Sequence, residues 1–181
     1  MKHLLLPTFV VASLSLATWG LSAQGPGTRK APPTPQALVL TREVGEWTAT
    51  VKAGGKEYPG KLVVEPGPGG NGIVSHLEAS FGPVPFEGRG IEAWDPARGK
   101  YTGLWIYSLS PQPLLADGTW DEANKTRTMR MDVPGVDGGP GKTEWHVTRV
   151  VGEDEREFRI LAEGAGGERS EMLSIRYVRK K

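Results

Sequence analysis

Aromatic side chains are the residues of this 181-residue sequence with the clearest capacity to bind a ligand. Trp94, Tyr101, Trp105 and Tyr107 lie in two neighbouring stretches, and their side chains can share one face of a sheet. Such rings offer apolar surface with a polar tip, which is typical of small-ligand pockets. Arg89 adds a polar contact. These five residues form a candidate ligand-binding wall, and the alternative is that the rings simply fill a core.

Groups that catalyse reactions or bind metals are sparse. The sequence has no Cys, which excludes thiol catalysis, cysteine–zinc sites and iron–sulfur clusters. His76 and His146 stand in predicted strands without a His-x-His or carboxylate cluster, so we interpret them as solvent-facing or hydrogen-bonded structural residues. Ser108 and Ser110 lack the G-x-S-x-G turn of a nucleophile elbow. We therefore predict no catalytic residue, no metal site and no cofactor; enzymatic activity stays open, and a non-enzymatic protein is favoured.

Short stretches of β-branched and aromatic residues must position these side chains, and they recur every ten to twelve residues from Gly45 onward. No later stretch keeps a 3.6-residue apolar period, and the connections are too short for parallel crossovers. We therefore predict an all-β fold, an antiparallel up-and-down barrel of about nine or ten strands, with a two-sheet β-sandwich as the alternative. Gly88 and Gly90 inside one strand predict a bend or a close backbone approach. The predicted strands are 46–52, 73–81, 86–94, 100–109, 114–120, 126–133, 143–151, 157–162 and 170–179.

The chain divides into three parts by composition. Residues 1–23 read as a signal peptide, with Lys2 before an apolar stretch and Leu21-Ser22-Ala23 at the cleavage site. We expect an exported protein, periplasmic or secreted, cleaved near Ala23; the alternative is that the segment is retained as a membrane anchor. Residues 24–44 read as a Pro/Gly-rich tether and lead-in, in which 37–44 is either a short helix or irregular. Residues 45–181 form the predicted barrel domain.

The charge balance limits the partners. Removing the segment that contains Lys2 leaves 21 basic residues against 21 acidic ones. A neutral, mixed surface argues against a nucleic-acid or anionic-membrane partner. We expect a small, partly apolar ligand, no nucleic acid and no integral membrane segment after signal cleavage.

Several segments resemble a bacterial family known only as domain of unknown function 1579. The resemblance covers most of residues 45–181 and implies a lipocalin-like (calycin-type) barrel, often exported, with no activity attached. Trp94 stands where the family usually has Tyr, and Tyr107 replaces a family Asp, so no role of that carboxylate can be carried over. The segments are Phe86-Glu87-Gly88-Arg89-Gly90, Trp94-Asp95-Pro96, the run from Tyr101 to Pro111, Gly118-Thr119-Trp120-Asp121, the run from Lys125 to Met129 and the run from Ile175 to Lys180.

Two function hypotheses follow from these observations. The first is an exported β-barrel that binds a small, partly apolar ligand in an aromatic-lined cavity. The second is an envelope-associated interaction or structural domain with a filled core and no catalytic activity. A cavity in the barrel would favour the first hypothesis, and a solidly packed interior would favour the second.

Overall fold

The computed structural model describes residues 32–135 and 139–181 as ten strands and two short helical segments. The ten strands pair antiparallel in chain order, and the last pairs with the first to close a barrel. The predicted all-β, up-and-down barrel is therefore confirmed. The signal peptide and residues 24–31 of the tether lie outside the described residues. The strands are β1 (Gly45–Ala53), β2 (Lys56–Pro66), β3 (Gly72–Phe81), β4 (Val84–Asp95), β5 (Lys100–Tyr107), β6 (Ser110–Asp121), β7 (Thr126–Val133), β8 (Lys142–Gly152), β9 (Glu155–Glu163) and β10 (Arg169–Arg179).

Strand β2 is absent from the strands predicted on alternation. It contains Pro59 and Gly60, which weaken any strand pattern because proline cannot donate to the ladder and glycine offers no side chain. In the barrel, Pro59 pairs with Thr50 and Gly60 pairs with Ala49. A Cβ at Gly60 would lie 2.8 Å from the carbonyl oxygen of Glu78, so this position needs a residue without a side chain.

The closing pair of strands shows the alternation that drives the fold. In β1, Trp47, Ala49 and Val51 are at most 2% exposed, while the residues between them face outward or lie partly exposed. Across the ladder Ala49 lies opposite Tyr177, and both side chains are buried. Each inward position thus buries apolar surface against its partner, and this fixes the register of closure.

A seven-residue helix, α1 (Pro35–Thr41), precedes the barrel. Thr34 caps it by accepting a hydrogen bond from the Ala37 N–H at 3.1 Å, and Pro35 suits the first helical position. Leu40 is fully buried, and the helix packs beside β3 and β4. The lead-in is therefore helical over part of 37–44. No helix in the described ranges has the length and apolar character needed to cross a membrane.

Candidate functional site

A cavity of about 460 Å³ occupies the barrel interior. This volume falls within the roughly 300–1,000 Å³ of small-molecule sites. Leu109 and Met172 line it and are 56% and 44% exposed, so the cavity opens to solvent beside them; we call this end the mouth. The opposite end, which we call the floor, is formed by Glu43, Glu92, Arg127 and Arg156. Much of the wall between the two ends is apolar and comes from several strands: Leu62, Leu77, Phe81, Phe86, Leu114 and Phe158.

Four aromatic rings form a row near the mouth across β2, β3, β4 and β5. The ring centroids of Tyr58 and Phe81 are 5.4 Å apart, and those of Phe81 and Phe86 are 5.6 Å apart, both in edge-to-face geometry. Phe86 lies 6.0 Å from Tyr107. Sequence reasoning missed Tyr58, Phe81 and Phe86 because it sought aromatic residues clustered along the chain. The row is built instead by side chains that antiparallel pairing brings side by side.

Two of the five sequence-predicted residues, Trp105 and Tyr107, line the cavity. The Trp105 indole packs against β4 at Gly88 and Gly90. A Cβ at Gly90 would come within 2.7 Å of Trp105 Cε3. The sequence predicted a bend or a close backbone approach at these two glycines, and the structure instead places an aromatic side chain from the neighbouring strand against them.

The other three predicted residues lie elsewhere. Trp94 and Tyr101 stack edge to face, 5.0 Å between centroids, in a region bordered by α1 rather than in the cavity wall. The Tyr101 hydroxyl donates to the Gln36 carbonyl at 3.0 Å, and burial raises the pKa of this phenol. Arg89 is on the outer surface, with a side chain 61% exposed and its Nε 3.2 Å from Glu87 Oε1.

Buried charges occupy the floor. Glu43, just after α1, accepts hydrogen bonds from Arg127 through one carboxylate oxygen and from Arg156 through the other. The side chains of both arginines are 4% exposed, and that of Glu43 is 9% exposed. Burial opposes ionisation of Glu43, but the two guanidinium groups outweigh it and leave the pKa of Glu43 lowered. This carboxylate therefore stays ionised inside the barrel.

Glu92 is the second acid of the floor, and its situation differs. Its Oε2 lies 3.0 Å from Arg127 Nε, yet the two groups are not aligned for a hydrogen bond, and both atoms lack a partner among the described residues. Burial raises the pKa of Glu92 despite the nearby Arg127. The floor thus combines one carboxyl whose pKa is lowered with one whose pKa is raised.

Aromatic rings support the second floor arginine. The Arg156 guanidinium carbon lies 4.3 Å from the centroid of the Trp47 ring and 5.0 Å from that of Tyr177. Cation–π contacts of this kind stabilise a guanidinium that has lost its water. Arg179 lies 4.0 Å from the same indole and donates to the Val44 carbonyl at 2.6 Å. These contacts fix the segment that carries Glu43.

Sequence reasoning missed the floor, although a signal for it was present. Arg127 has the same parity as Met129 and Met131, which are buried in the interior. Arg156 likewise shares parity with Phe158, which lines the cavity. An arginine in phase with the apolar face of a strand is the pattern that would have indicated a buried charge.

The two histidines have different surroundings. His76 faces outward, with Nε2 3.0 Å from Glu87 Oε1. His146 lines the cavity, with its ring edge-to-face on Phe158 at 5.3 Å and Nε2 3.4 Å from Glu144 Oε2. The hydrogen bond with His146 is the largest effect on the Glu144 carboxyl. It outweighs burial, which acts in the opposite direction, and the pKa of Glu144 is lowered. Within the ranges that the structure describes, no group of three or more His, Asp or Glu side chains is placed to hold a metal ion.

Comparisons with known proteins agree with the fold and assign no activity. The family model described as "Protein of unknown function (DUF1579)" matches residues 32–179. No curated protein matches the chain. The crystal structure of Rv2717c from M. tuberculosis is similar, with a TM-score of 0.56 and 12% identity over 83% of this chain and 100% of that one.

Two further solved structures are more distant. A redesigned β-barrel has a TM-score of 0.41 and 12% identity, covering 80% of this chain and 95% of its own. A DUF3598-family protein of unknown function from Nostoc punctiforme has a TM-score of 0.23 and 8% identity, covering 81% of this chain and all of its own (100%). At these identities the similarity to Rv2717c concerns the fold alone.

Proposed function

The chain belongs to the DUF1579 family of proteins of unknown function, and we propose that it binds a small, partly apolar ligand inside its barrel. The observation that carries the proposal is the cavity of about 460 Å³ with its apolar, partly aromatic wall. A domain whose interior served only stability would gain by filling this space, because each unfilled volume forfeits packing energy. An open, apolar cavity with a few polar groups at one end is the usual form of a small-ligand site.

Trp105 and Tyr107 are the predicted residues on which the proposal rests, since both line the cavity. Trp94 and Tyr101 contribute instead to the packing beside α1, and Arg89 has its own outer-surface partner in Glu87. We therefore expect the fluorescence of Trp105 to respond to a bound ligand. Native mass spectrometry of the protein purified from its own host should show a co-purifying small molecule.

A neutral fluorescent probe, N-phenyl-1-naphthylamine, tests whether the cavity accepts apolar molecules. The Ala79→Phe variant places a ring in the cavity, because Ala79 lines it, and we expect probe binding to fall at least about tenfold. Ser80→Phe is the matched control, since the adjacent residue of β3 faces the other side of the sheet. Equal probe binding by wild type and a folded Ala79→Phe variant would refute the cavity as the binding site.

We also propose that the protein is exported. The support is the signal-peptide pattern of residues 1–23, with Leu21-Ser22-Ala23 at the cleavage site. Intact-mass measurement of the protein from its host should give a chain beginning near Gln24. A chain that still begins at Met1 would contradict cleavage and favour a retained anchor.

A further inference from the structure

The two floor arginines have more hydrogen-bonding capacity than the protein uses. A guanidinium offers five N–H donors, yet Arg127 and Arg156 share the single carboxylate of Glu43. Arg156 Nε is buried and has no hydrogen-bond partner among the described residues. The Arg156 side chain is only 4% exposed, and the residue lines the cavity. A buried donor of this kind costs stability unless something accepts its hydrogen bond.

The hydrogen bonds at the floor are also unequal. Both carboxylate oxygens of Glu43 accept from a guanidinium group, whereas Glu92 Oε2 lies 3.0 Å from Arg127 Nε without the alignment of a hydrogen bond. Arg127 Nε and Arg156 Nε are therefore both buried donors at the floor that have no hydrogen-bond acceptor among the described residues. Glu144, the other acid that lines the cavity, has its own partners, since it lies 2.8 Å from Lys142 and 3.4 Å from His146. The floor is therefore the part of the cavity that would accept an anion.

We propose that the ligand is a single-chain amphiphile with a carboxylate head group, which binds with its head at the floor arginines and its chain toward the mouth. This inference rests on the proposed function and specifies the ligand class for the same cavity. A planar carboxylate matches the fork of a guanidinium, and the charge-assisted hydrogen bonds are stronger than neutral ones.

The wall supports this orientation of the ligand. From the floor toward the mouth the cavity passes Leu77, Phe81 and Phe86 and ends beside the exposed Leu109 and Met172. An alkyl chain gains by burial along these residues. The reverse orientation would place the chain against two desolvated guanidinium groups and leave their donors unsatisfied.

The first experiment compares three probes with the same alkyl chain on the wild-type protein. Dodecanoate, dodecanol and dodecylamine are each titrated against the protein loaded with N-phenyl-1-naphthylamine near neutral pH, and displacement of the fluorescent probe is measured. We expect dodecanoate to bind at least about tenfold more tightly than the other two, the lower bound for hydrogen bonds to a charged partner. Equal affinity of dodecanol and dodecanoate would overturn the head-group inference and leave the proposed function standing. Failure of all three and of the neutral probe would overturn the proposed function itself.

A second experiment uses Glu43 as an internal competitor for the arginines. Glu43→Gln removes the protein's own anion from the pair, so dodecanoate affinity should rise about tenfold relative to dodecanol affinity. Glu87→Gln is the control, because Glu87 contacts His76 and Arg89 on the outer surface, and it should alter neither affinity. A parallel loss of both affinities in a folded Glu43→Gln variant would contradict the inference. Should that variant not fold, the wild-type ranking of the three probes decides alone.

Discussion

At the scale of single residues, the floor holds two acids in one cluster whose ionisation is pushed in opposite directions. Glu43 is bonded to both Arg127 and Arg156, and these contacts outweigh its burial and lower its pKa. The Glu92 side chain is 27% exposed, but its Oε2 is buried without an aligned hydrogen-bond partner among the described residues, and desolvation raises its pKa. Breaking a buried ion pair is costlier than losing a surface pair, because it leaves a charge without compensation.

The opposite pKa directions predict opposite dependences of stability on pH. The folded protein holds the Glu92 proton more tightly than the unfolded chain does, so this residue stabilises the fold in acid, and the contribution is lost as the pH rises through the folded pKa. Glu92→Gln should therefore match wild type at about pH 4 and gain stability over it toward about pH 8. Urea unfolding across this range measures the difference in the free energy of unfolding.

Glu43→Gln serves as the paired comparison for that series. Because the pKa of Glu43 is lowered, its contribution is present above the pKa of an unfolded glutamic acid and is lost as the pH falls through the folded pKa. The Glu43→Gln variant should be the less stable protein at neutral pH, and its deficit should shrink in acid. A Glu92→Gln variant that loses stability relative to wild type as the pH rises would show that Glu92 is ionised and paired.

At the scale of elements, the contact between β4 and β5 depends on a missing side chain. The Trp105 indole occupies the space where side chains at Gly88 and Gly90 would stand. The ring can line the cavity in this position only because β4 presents bare backbone beneath it. This contact joins a local sequence feature, two glycines in one strand, to the shape of the candidate binding site.

Gly88→Ala should therefore destabilise the barrel by about 1–3 kcal/mol, the usual cost of forcing a methyl group into packed structure. Combining it with Trp105→Leu should remove most of that cost, because the atoms nearest to the new methyl are those of the Trp105 ring. Gly152→Ala is the control, since a Cβ there meets nothing within 4 Å. Additive effects of the two substitutions in urea unfolding would contradict the proposed contact.

Helix α1 provides the second test at this scale. Leu40 is 0% exposed and Leu38 is 46% exposed, so the same substitution at two neighbouring positions separates core packing from helix propensity. Leu40→Ala should cost about 2–5 kcal/mol of unfolding free energy, whereas Leu38→Ala should stay within about 0.5 kcal/mol. Thermal and urea unfolding measure both. Equal small effects would show that α1 packs only loosely on the barrel.

Most strands could be predicted because each element carries its own alternation. In β7 and β10 the buried residues alternate with exposed ones, and 126–133 and 170–179 were predicted within a residue of the observed bounds. Strand β2 could not be predicted, because Pro59 and Gly60 interrupt the alternation of apolar and polar residues. Its pairing with the neighbouring strands β1 and β3 holds it in the sheet. The alternation of apolar and polar residues thus indicates the strands whose own sequence favours a strand. The remaining strands form because their neighbours in the sheet pair with them.

At the scale of the whole molecule, closure determines which residues meet. The candidate wall predicted from neighbouring strands was partly found, since Trp105 and Tyr107 share the cavity with Phe86. The floor could not be assembled from the sequence, because Glu43, Arg127 and Arg156 come from segments far apart along the chain. They meet only when β10 pairs with β1 and α1 packs beside β3 and β4. A site made by closure has no contiguous motif to recognise.

The even number of strands has a practical consequence for handling the protein. With ten antiparallel strands in chain order, β1 begins and β10 ends at the same end of the barrel, beside α1 and the arginines. The hairpins that surround the mouth are at the other end. A biotin or affinity tag attached at the carboxyl terminus would therefore mount the molecule on a sensor chip with its entrance toward the flowing solution. Immobilisation in this orientation would keep the mouth of the cavity accessible to solutes.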